Sequence, residues 1–284
     1  MPDLRFLLKV SRPRFWFYVF GPYIVGLAAG SQNINEFIIF GVVLYGLYFL
    51  FPANLLIYGI NDLFDYETDK INDKKANYET LVTPERRPLL WAAIIASTFP
   101  FAFIVLNFYL WRGLVPVVIS GVGFLFFSIF YSAPPIRAKT KPFLDSAFNI
   151  LYVLPGVFGY ALLTDQFPPA LLMVAAALWT AAMHAYSAIP DITADRIAGV
   201  RTIATLCGPY LTLAICAVLY AAAALLSIPY LGFVSISLGA AYVLLMLASV
   251  WSYRSGRLFK LYRAFPIINV VAGFILFWEI VLRK

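Results

Sequence analysis

The sequence has little charge, only two cysteines and a single histidine. Charged residues make up 12% of its 284 positions and hydrophobic residues 62%, whereas an average soluble domain is about 25% charged. This composition excludes an ordinary soluble domain and places the chain among integral membrane proteins. With ~20 residues for each crossing, the length leaves room for about nine helices and little else. We therefore expect one polytopic membrane domain over residues 1–284.

The scarcity of cysteine also argues against two kinds of site. Cys207 and Cys216 are nine positions apart in one apolar run, which puts them on opposite faces of a helix, and neither belongs to a CxxC pair. We therefore expect no disulfide or zinc site here, and interpret both as small core residues. No nucleic-acid-binding motif accompanies the net charge of +7. That charge is attributed to membrane topology and to anionic lipid headgroups, and no nucleic-acid partner is predicted.

The hydrophobic residues form nine runs, each expected to be a transmembrane helix, which predicts an all-α membrane fold. The runs are 15–29, 37–60, 89–109, 114–131, 143–163, 170–189, 204–226, 230–251 and 265–282. The first is short and resembles a signal peptide. Because Pro13 and Pro22 bracket an aromatic segment instead of a plain leucine-rich one, we expect a retained helix.

Lys and Arg lie mostly on one side of the predicted membrane. They cluster before the first run and after the second, fourth, sixth and eighth runs, whereas the other side has only Arg112, Arg283 and Lys284. The positive-inside rule then predicts that the N-terminus and the loops after even-numbered runs are cytoplasmic. Nine crossings would place the C-terminus outside. The protein is expected in a cytoplasmic or inner membrane.

An acidic cluster follows the second hydrophobic run. Asp62, Asp65 and Asp69 are spaced i, i+3 and i+7, so on a continuous helix they would fall within an arc of roughly 60°. Three like charges on one face repel one another, and a cation is expected between them. Mg²⁺ suits this position, because proteins usually bind it through a few carboxylates together with substrate phosphates.

A second acidic pair follows the sixth run. Asp191 and Asp195 are spaced i, i+4, about 40° apart around a helix. Because the predicted topology puts both acidic clusters on the cytoplasmic side, they can share one site. The two clusters read as a pseudo-repeat, with four apolar runs between them.

Four patches in this order resemble the UbiA superfamily of intramembrane prenyltransferases. Its two aspartate-rich motifs are similar to Asn61-Asp62-x-x-Asp65-x-x-x-Asp69 and Asp191-x-x-x-Asp195, and two further patches are similar to Tyr131-Ser132-x-Pro134-Pro135-x-Arg137-x-Lys139 and Gly199-x-Arg201-Thr202. The resemblance implies helices around a central cavity and Mg²⁺-dependent transfer of a prenyl group from an allylic prenyl diphosphate to a lipophilic acceptor.

The resemblance also implies roles for individual residues. Asp62, Asp65, Asp69, Asp191 and Asp195 would be the catalytic metal ligands. Asn61, Arg137, Lys139 and Arg201 would bind the diphosphate. Arg12 and Arg14 are better explained by topology alone.

Four other polar residues are candidates for lining the cavity: Asn54, Tyr58, Tyr131 and His184. Polar residues in membrane helices are costly and often functional. His184 is open to three interpretations, namely lining the acceptor pocket, removing a proton, or making a structural hydrogen bond. Asp145 and Glu279 lie near membrane ends, where capping or snorkelling is expected.

The acceptor is indicated by two shorter segments. The segment from Ser11 to Trp16, and the loop that ends in Pro142-Phe143-Leu144-Asp145, resemble the lycopene elongase branch, which implies a linear carotenoid such as lycopene. An aromatic acceptor such as a quinone precursor is the alternative. An ion-coupled transporter is a second alternative, but transporters hold their acids near the bilayer midplane, whereas these acids lie at helix ends.

Overall fold

The computed structural model describes residues 2–66 and 80–284, and within these ranges the regular secondary structure is helical, with no strand. The α-helices that lie wholly in the described residues are α1 (Pro2–Val10), α2 (Phe17–Gly30), α3 (Phe40–Leu50), α4 (Pro52–Phe64), α5 (Arg87–Arg112), α6 (Val115–Ser132), α7 (Leu144–Ala147), α8 (Leu154–Thr164), α9 (Ala170–Ala188), α10 (Ile192–Ile197), α11 (Ile203–Leu231), α12 (Phe233–Arg254) and α13 (Leu258–Leu282). The predicted all-α class is confirmed.

Eight helical segments of the described ranges are long and apolar enough to cross a membrane. They match the second to ninth predicted runs, and the chain is an integral membrane protein. The first run forms α2, which has 14 residues and is shorter than the other eight. All nine predicted runs are helical, but two of them are not single helices: run 37–60 contains α3 and α4, and run 143–163 contains α7, the 3₁₀ segment Phe148–Tyr152 and α8.

The chain divides into two compact units. Unit 1 contains Met1–Arg137 and Leu154–Phe167, and unit 2 contains Ala138–Val153 and Pro168–Lys284. The first aspartate motif lies in unit 1 and the second in unit 2.

Unit 1 is built around a close contact between α2 and α8. A Cβ atom added to Gly26 would overlap the carbonyl oxygen of Gly156, and one added to Gly159 would lie 2.6 Å from the carbonyl oxygen of Tyr23. Small residues let membrane helices approach closely, which increases their van der Waals contact. The Tyr23 hydroxyl donates a 2.7 Å hydrogen bond to the Val42 carbonyl, which also ties α2 to α3.

An aromatic cluster fills the interior of unit 1. The rings of Tyr48 and Phe101 stack with their centroids 3.9 Å apart, and Phe49 packs edge-on against Phe124 and Phe158 at 5.4 and 5.5 Å. All five side chains are buried. Aromatic pairs in such tilted and stacked arrangements add to the energy of burial, so this cluster fixes α3, α5, α6 and α8 against one another.

The run 37–60, predicted as one helix, is broken at Phe51. Pro52 begins α4 and has no N–H for a helical hydrogen bond. Asn54 is fully buried, and its side-chain amide donates to the carbonyls of Phe49 and Leu50, at 3.2 and 2.9 Å. Asn54, a predicted cavity-lining residue, therefore stabilises the break between α3 and α4.

Unit 2 is dominated by α9, α11, α12 and α13, with α11 packed between α9 and α12. Tyr186, Tyr220, Tyr242 and Phe265 form its buried aromatic core. Helix α11 is kinked at Gly208, whose φ of 73° is a conformation that glycine adopts without strain.

Candidate active site

The first aspartate motif lies where α4 ends. Asp62 is in the last turn, and Asp65 is the C-cap residue, with φ −111° and ψ 9°. The prediction that one helix continues through the acidic cluster is therefore wrong at Asp65, because α4 ends at Phe64. Asp69, the third predicted metal ligand, lies outside the described residues.

Arg12 neutralises Asp62. Its Nη2 lies 2.8 Å from Oδ1 of Asp62, whose side chain is 2% exposed. The guanidinium carbon also lies 4.7 Å from the centre of the Tyr58 ring, a favourable cation–π position. The interpretation of Arg12 by topology alone is therefore wrong. Arg12 directly precedes Pro13 and has a left-handed backbone conformation, with φ 51°.

Arg137 pairs with the other carboxylate. Its Nη2 lies 3.2 Å from Oδ1 of Asp65, and their side chains are 40% and 2% exposed, respectively. The same nitrogen lies 3.4 Å from the Phe64 carbonyl, at the C-terminal end of α4. Asn61 donates a 3.1 Å hydrogen bond to the hydroxyl of Ser132, the last residue of α6. The ends of α4 and α6 are thus joined at the predicted site.

The predicted residues of unit 1 therefore come together. Tyr58, Asn61, Asp62 and Asp65 share one stretch of α4 and its cap, and Arg137 reaches this stretch from the segment after α6. Tyr131, in the last turn of α6, is half-buried. Within residues 2–66 and 80–284 there is no group of three or more His, Cys, Asp or Glu side chains placed to share a metal ion.

The second aspartate motif lies at a change of helix type in unit 2. Asp191 ends the 3₁₀ turn Ile189–Asp191 and is the N-cap of α10, which contains Asp195. Both side chains are half-buried. The carbonyl of Asp195 accepts a 2.8 Å hydrogen bond from the Val200 N–H, which closes the short helix towards Arg201.

The remaining predicted cations also lie in unit 2. Lys139 is half-buried in the 3₁₀ turn Ala138–Thr140. Arg201 is exposed and makes no hydrogen bond or ion pair with any part of the chain that the structure describes.

His184 and Asp145 are neighbours inside unit 2. His184 Nε2 lies 3.8 Å from Oδ2 of Asp145, which is beyond the usual length of a hydrogen bond. Asp145 caps a helix, as expected, but the helix is α11 from a distant part of the sequence: its Oδ2 accepts a 2.8 Å hydrogen bond from the Ile203 N–H. Glu279, near the end of α13, forms an ion pair with Arg283, the C-cap residue of that helix.

In comparison with known proteins, the sequence matches a family and two curated relatives. Residues 19–278 match the model of the UbiA prenyltransferase family. A lycopene elongase/hydratase from Haloferax volcanii is 38% identical over 286 residues, with 96% of this chain and 87% of that protein covered. The enzyme of the same name from Halobacterium salinarum is 36% identical, with 95% of each chain covered.

A solved structure shows the same fold. A UbiA homolog from Archaeoglobus fulgidus, bound to GPP and Mg²⁺, is 20% identical and superimposes with a TM-score of 0.69, covering 95% of this chain and 99% of that one. The chain therefore belongs to the UbiA prenyltransferase family. It is a prenyltransferase similar to lycopene elongases, and the resemblance predicted from the four sequence patches is confirmed.

Proposed function

We propose that this protein transfers a prenyl group from an allylic prenyl diphosphate to a linear carotenoid such as lycopene, with Mg²⁺ as cofactor. The observation that carries the proposal is the end of α4, where two carboxylates, each 2% exposed, are paired with arginines. Carboxylates and guanidinium groups side by side offer ligands both for a divalent cation and for phosphate oxygens. The proposed reaction would be a step of carotenoid biosynthesis.

The donor atoms at the end of α4 fit Mg²⁺. Asp62 and Asp65 present hard carboxylate oxygens that burial has largely removed from water, and Mg²⁺ is commonly held by one or two carboxylates plus substrate phosphates. We propose Asp69 as a third ligand and Asp191 and Asp195 as the ligands of unit 2. When bound, the metal would supply positive charge that stabilises the departing diphosphate.

Arginines and a lysine would hold the diphosphate. Arg12 and Arg137 each donate through Nη2 to a carboxylate, and a guanidinium group suits phosphate oxygens, which it can bind in pairs. Arg137 is 40% exposed and so is open to a ligand. Asn61, fixed by Ser132, would position the diphosphate beside them. Lys139 and Arg201 are the corresponding cations proposed in unit 2.

The proposed reaction moves one prenyl group. The carbon–oxygen bond of the donor breaks, and its electron pair leaves with the diphosphate. The terminal double bond of the acceptor then supplies the electrons of the new carbon–carbon bond, which leaves a tertiary cation on the acceptor. That cation either loses a proton or takes up water. His184 is proposed to line this part of the site.

The relatives support the acceptor. The Haloferax volcanii and Halobacterium salinarum proteins are both named lycopene elongase/hydratase, and they match nearly the whole chain. Lycopene is long and apolar, so it would enter from the lipid phase of a membrane protein without passing through water.

The test is prenyl transfer in membranes that contain the protein. With dimethylallyl diphosphate, Mg²⁺ and lycopene, we expect a carotenoid with one or two added five-carbon units, detected by mass spectrometry of the extracted lipids. Parallel reactions contain 4-hydroxybenzoate, and membranes with the Asp62→Asn variant are the control. Prenylation of 4-hydroxybenzoate with lycopene unchanged would contradict the carotenoid acceptor. Unconsumed diphosphate with both acceptors would contradict the enzyme and favour a transporter.

A further inference from the structure

We infer that Asp145 is a positioning residue that holds two diphosphate-binding cations, Lys139 and Arg201, on one rigid framework of unit 2. The inference rests on the proposed function, because that function assigns the diphosphate to these two side chains. It adds a residue that lies outside the aspartate motifs and outside the cations themselves.

Asp145 is a fully enclosed carboxylate with two backbone partners. Its side chain has no exposure to solvent. Oδ1 accepts the N–H of Ser146 and Oδ2 accepts the N–H of Ile203, both at 2.8 Å. Hydrogen bonds to an ionised carboxylate are about twice as strong as neutral ones, and a buried charge without such bonds would be very costly. The carboxylate therefore holds the backbone at Ser146, in its own helix, and at Ile203, at the start of α11.

The first attachment leads to Arg201. Ile203 is the first residue of α11 and follows Arg201 by two positions. The Thr202 hydroxyl accepts the Thr205 N–H at 3.2 Å, and the Thr205 hydroxyl accepts the Thr202 N–H at 2.8 Å. This capping box satisfies two N–H groups at the helix start but not that of Ile203. Asp145 supplies the missing acceptor, so the backbone next to Arg201 is held on both sides of Thr202.

The second attachment leads to Lys139. The N–H of Lys141 donates to the Ala138 carbonyl, and the Lys141 carbonyl accepts the N–H of Asp145, both at 2.9 Å. The carbonyl of Asp145 accepts a 2.7 Å hydrogen bond from the side chain of Asn149. These bonds tie the turn that carries Lys139 to the backbone of Asp145. The backbone of Asp145 thus holds the turn that carries Lys139, and its carboxylate holds the start of α11. The two segments are joined through this residue, although Lys139 and Arg201 are 62 positions apart.

Such anchoring matters because ligand binding is weakened when the binding groups must first be ordered. Two cations on separate mobile segments would pay that cost on every binding event. The hydrogen bond from the Ile203 N–H to the Asp145 carboxylate fixes the start of α11 relative to the turn that carries Lys139 before the diphosphate arrives. Removing the carboxylate should therefore weaken donor binding more than it slows the chemical step.

The test uses Asp145→Asn, which keeps the size but leaves one carbonyl oxygen for two N–H groups. We expect the KM for dimethylallyl diphosphate to rise roughly ten-fold, as for one lost hydrogen bond to a charged group, with a smaller change in kcat. The dissociation constant of the unreactive thiolo analogue of dimethylallyl diphosphate, measured by calorimetry with the detergent-solubilised full chain, should rise by the same factor. This binding measurement is independent of the acceptor.

Double-mutant cycles separate positioning from general destabilisation. Asp145→Asn should be non-additive with Arg201→Gln and with Lys139→Gln, because the Asp145–Ile203 hydrogen bond sets the position of the start of α11 relative to the turn that carries Lys139. It should be additive with the matched control Arg137→Gln in unit 1. Should Asp145→Asn fail to fold, Thr202→Ala loosens the same start of α11 and should raise the same dissociation constant.

Three results would overturn the inference: an unchanged dissociation constant in folded Asp145→Asn, additivity in all the cycles, or coupling of Asp145 with His184→Gln in place of the two cations. Absence of analogue binding by the wild-type protein would instead contradict the proposed function. The two failures are therefore distinguishable.

Discussion

Asp62 carries its charge almost out of contact with water, and Arg12 compensates that charge from a position 50 residues earlier in the chain. Breaking such a pair by removing one partner is more damaging than removing both, because the remaining charge stays buried. Arg12→Gln should therefore destabilise the protein by up to about 3–5 kcal/mol. The double variant Arg12→Gln with Asp62→Asn should regain most of that stability but still lack prenyl transfer.

The measurement is thermal unfolding in detergent, together with the transfer assay. Arg5→Gln is the matched control, since it removes one positive charge from an exposed position of the same N-terminal segment and should leave the melting temperature unchanged. A double variant no more stable than Arg12→Gln alone would show that the pair contributes packing and not charge compensation.

Two further carboxylates test metal binding. Asp65→Asn and Asp191→Asn each remove one charge and keep the size of the side chain, so we expect prenyl transfer to be abolished while the protein remains folded and inserted. Chelation of metal ions with EDTA should abolish prenyl transfer by the wild-type enzyme, and added Mg²⁺ should restore that activity. Wild-type turnover in both variants, or activity that survives chelation, would contradict the assigned ligands.

Single residues were predictable where their own type and spacing carry the chemistry. The aspartates and Arg137 could be selected because acids and bases at the ends of apolar runs are unusual in a chain with 12% charge. Asn61 was selected only through the resemblance of its motif to the family. Arg12 and the acceptor role of Asp145 towards Ile203 could not be selected. Their partners are 50 and 58 positions away, and only the tertiary fold brings them into contact.

At the scale of helices, hydrophobicity predicted where the helical segments lie in the sequence, but it did not predict the residues at which individual helices end. The run 37–60 stays apolar through Phe51 and Pro52, so hydrophobicity does not show where α3 ends. The signal is Pro52 itself, which is also the physical cause of the break. The helix end at Phe64 was missed for a related reason. The acidic spacing fits a helical face, but spacing contains no information about where the backbone leaves the helix.

Helix packing in unit 1 gives a prediction at this scale. Gly26→Ala should destabilise the protein, because the new methyl group would overlap the carbonyl oxygen of Gly156 in a backbone contact that cannot move aside. Overpacking of this kind costs about 1–3 kcal/mol, and we expect a lower melting temperature and a lower yield of folded protein in detergent.

Gly21→Ala is the control on the same helix, since nothing lies within 4 Å of its added Cβ atom. It should stay close to the wild type in melting temperature, because any crowding of its Cβ by the following Pro22 is local. Equal melting temperatures for Gly26→Ala and Gly21→Ala would contradict the close packing of α2 on α8.

At the scale of the whole molecule, composition alone predicted an integral membrane protein, and the structure and the family confirm it. The sidedness is a separate matter. It depends on where Lys and Arg lie relative to a bilayer, and it stays a prediction from the positive-inside rule. The rule places the first aspartate motif in the cytoplasm, where prenyl diphosphates could reach it without crossing the membrane.

The two ends of α5 test this orientation within one helix. Glu85 lies in the turn just before α5, and Trp111 lies in its last turn; a helix of 26 residues is roughly 39 Å long and spans a bilayer. In a background where Cys207 and Cys216 are replaced by alanine, Trp111→Cys should react with a membrane-impermeant maleimide added to intact cells. Glu85→Cys should react only after the cells are permeabilised, because its end of α5 follows the basic loop after the second run. Reaction of Glu85→Cys in intact cells, with Trp111→Cys protected, would reverse the topology and place the aspartates of α4 outside the cell. Reaction of both in intact cells would contradict a membrane crossing by α5.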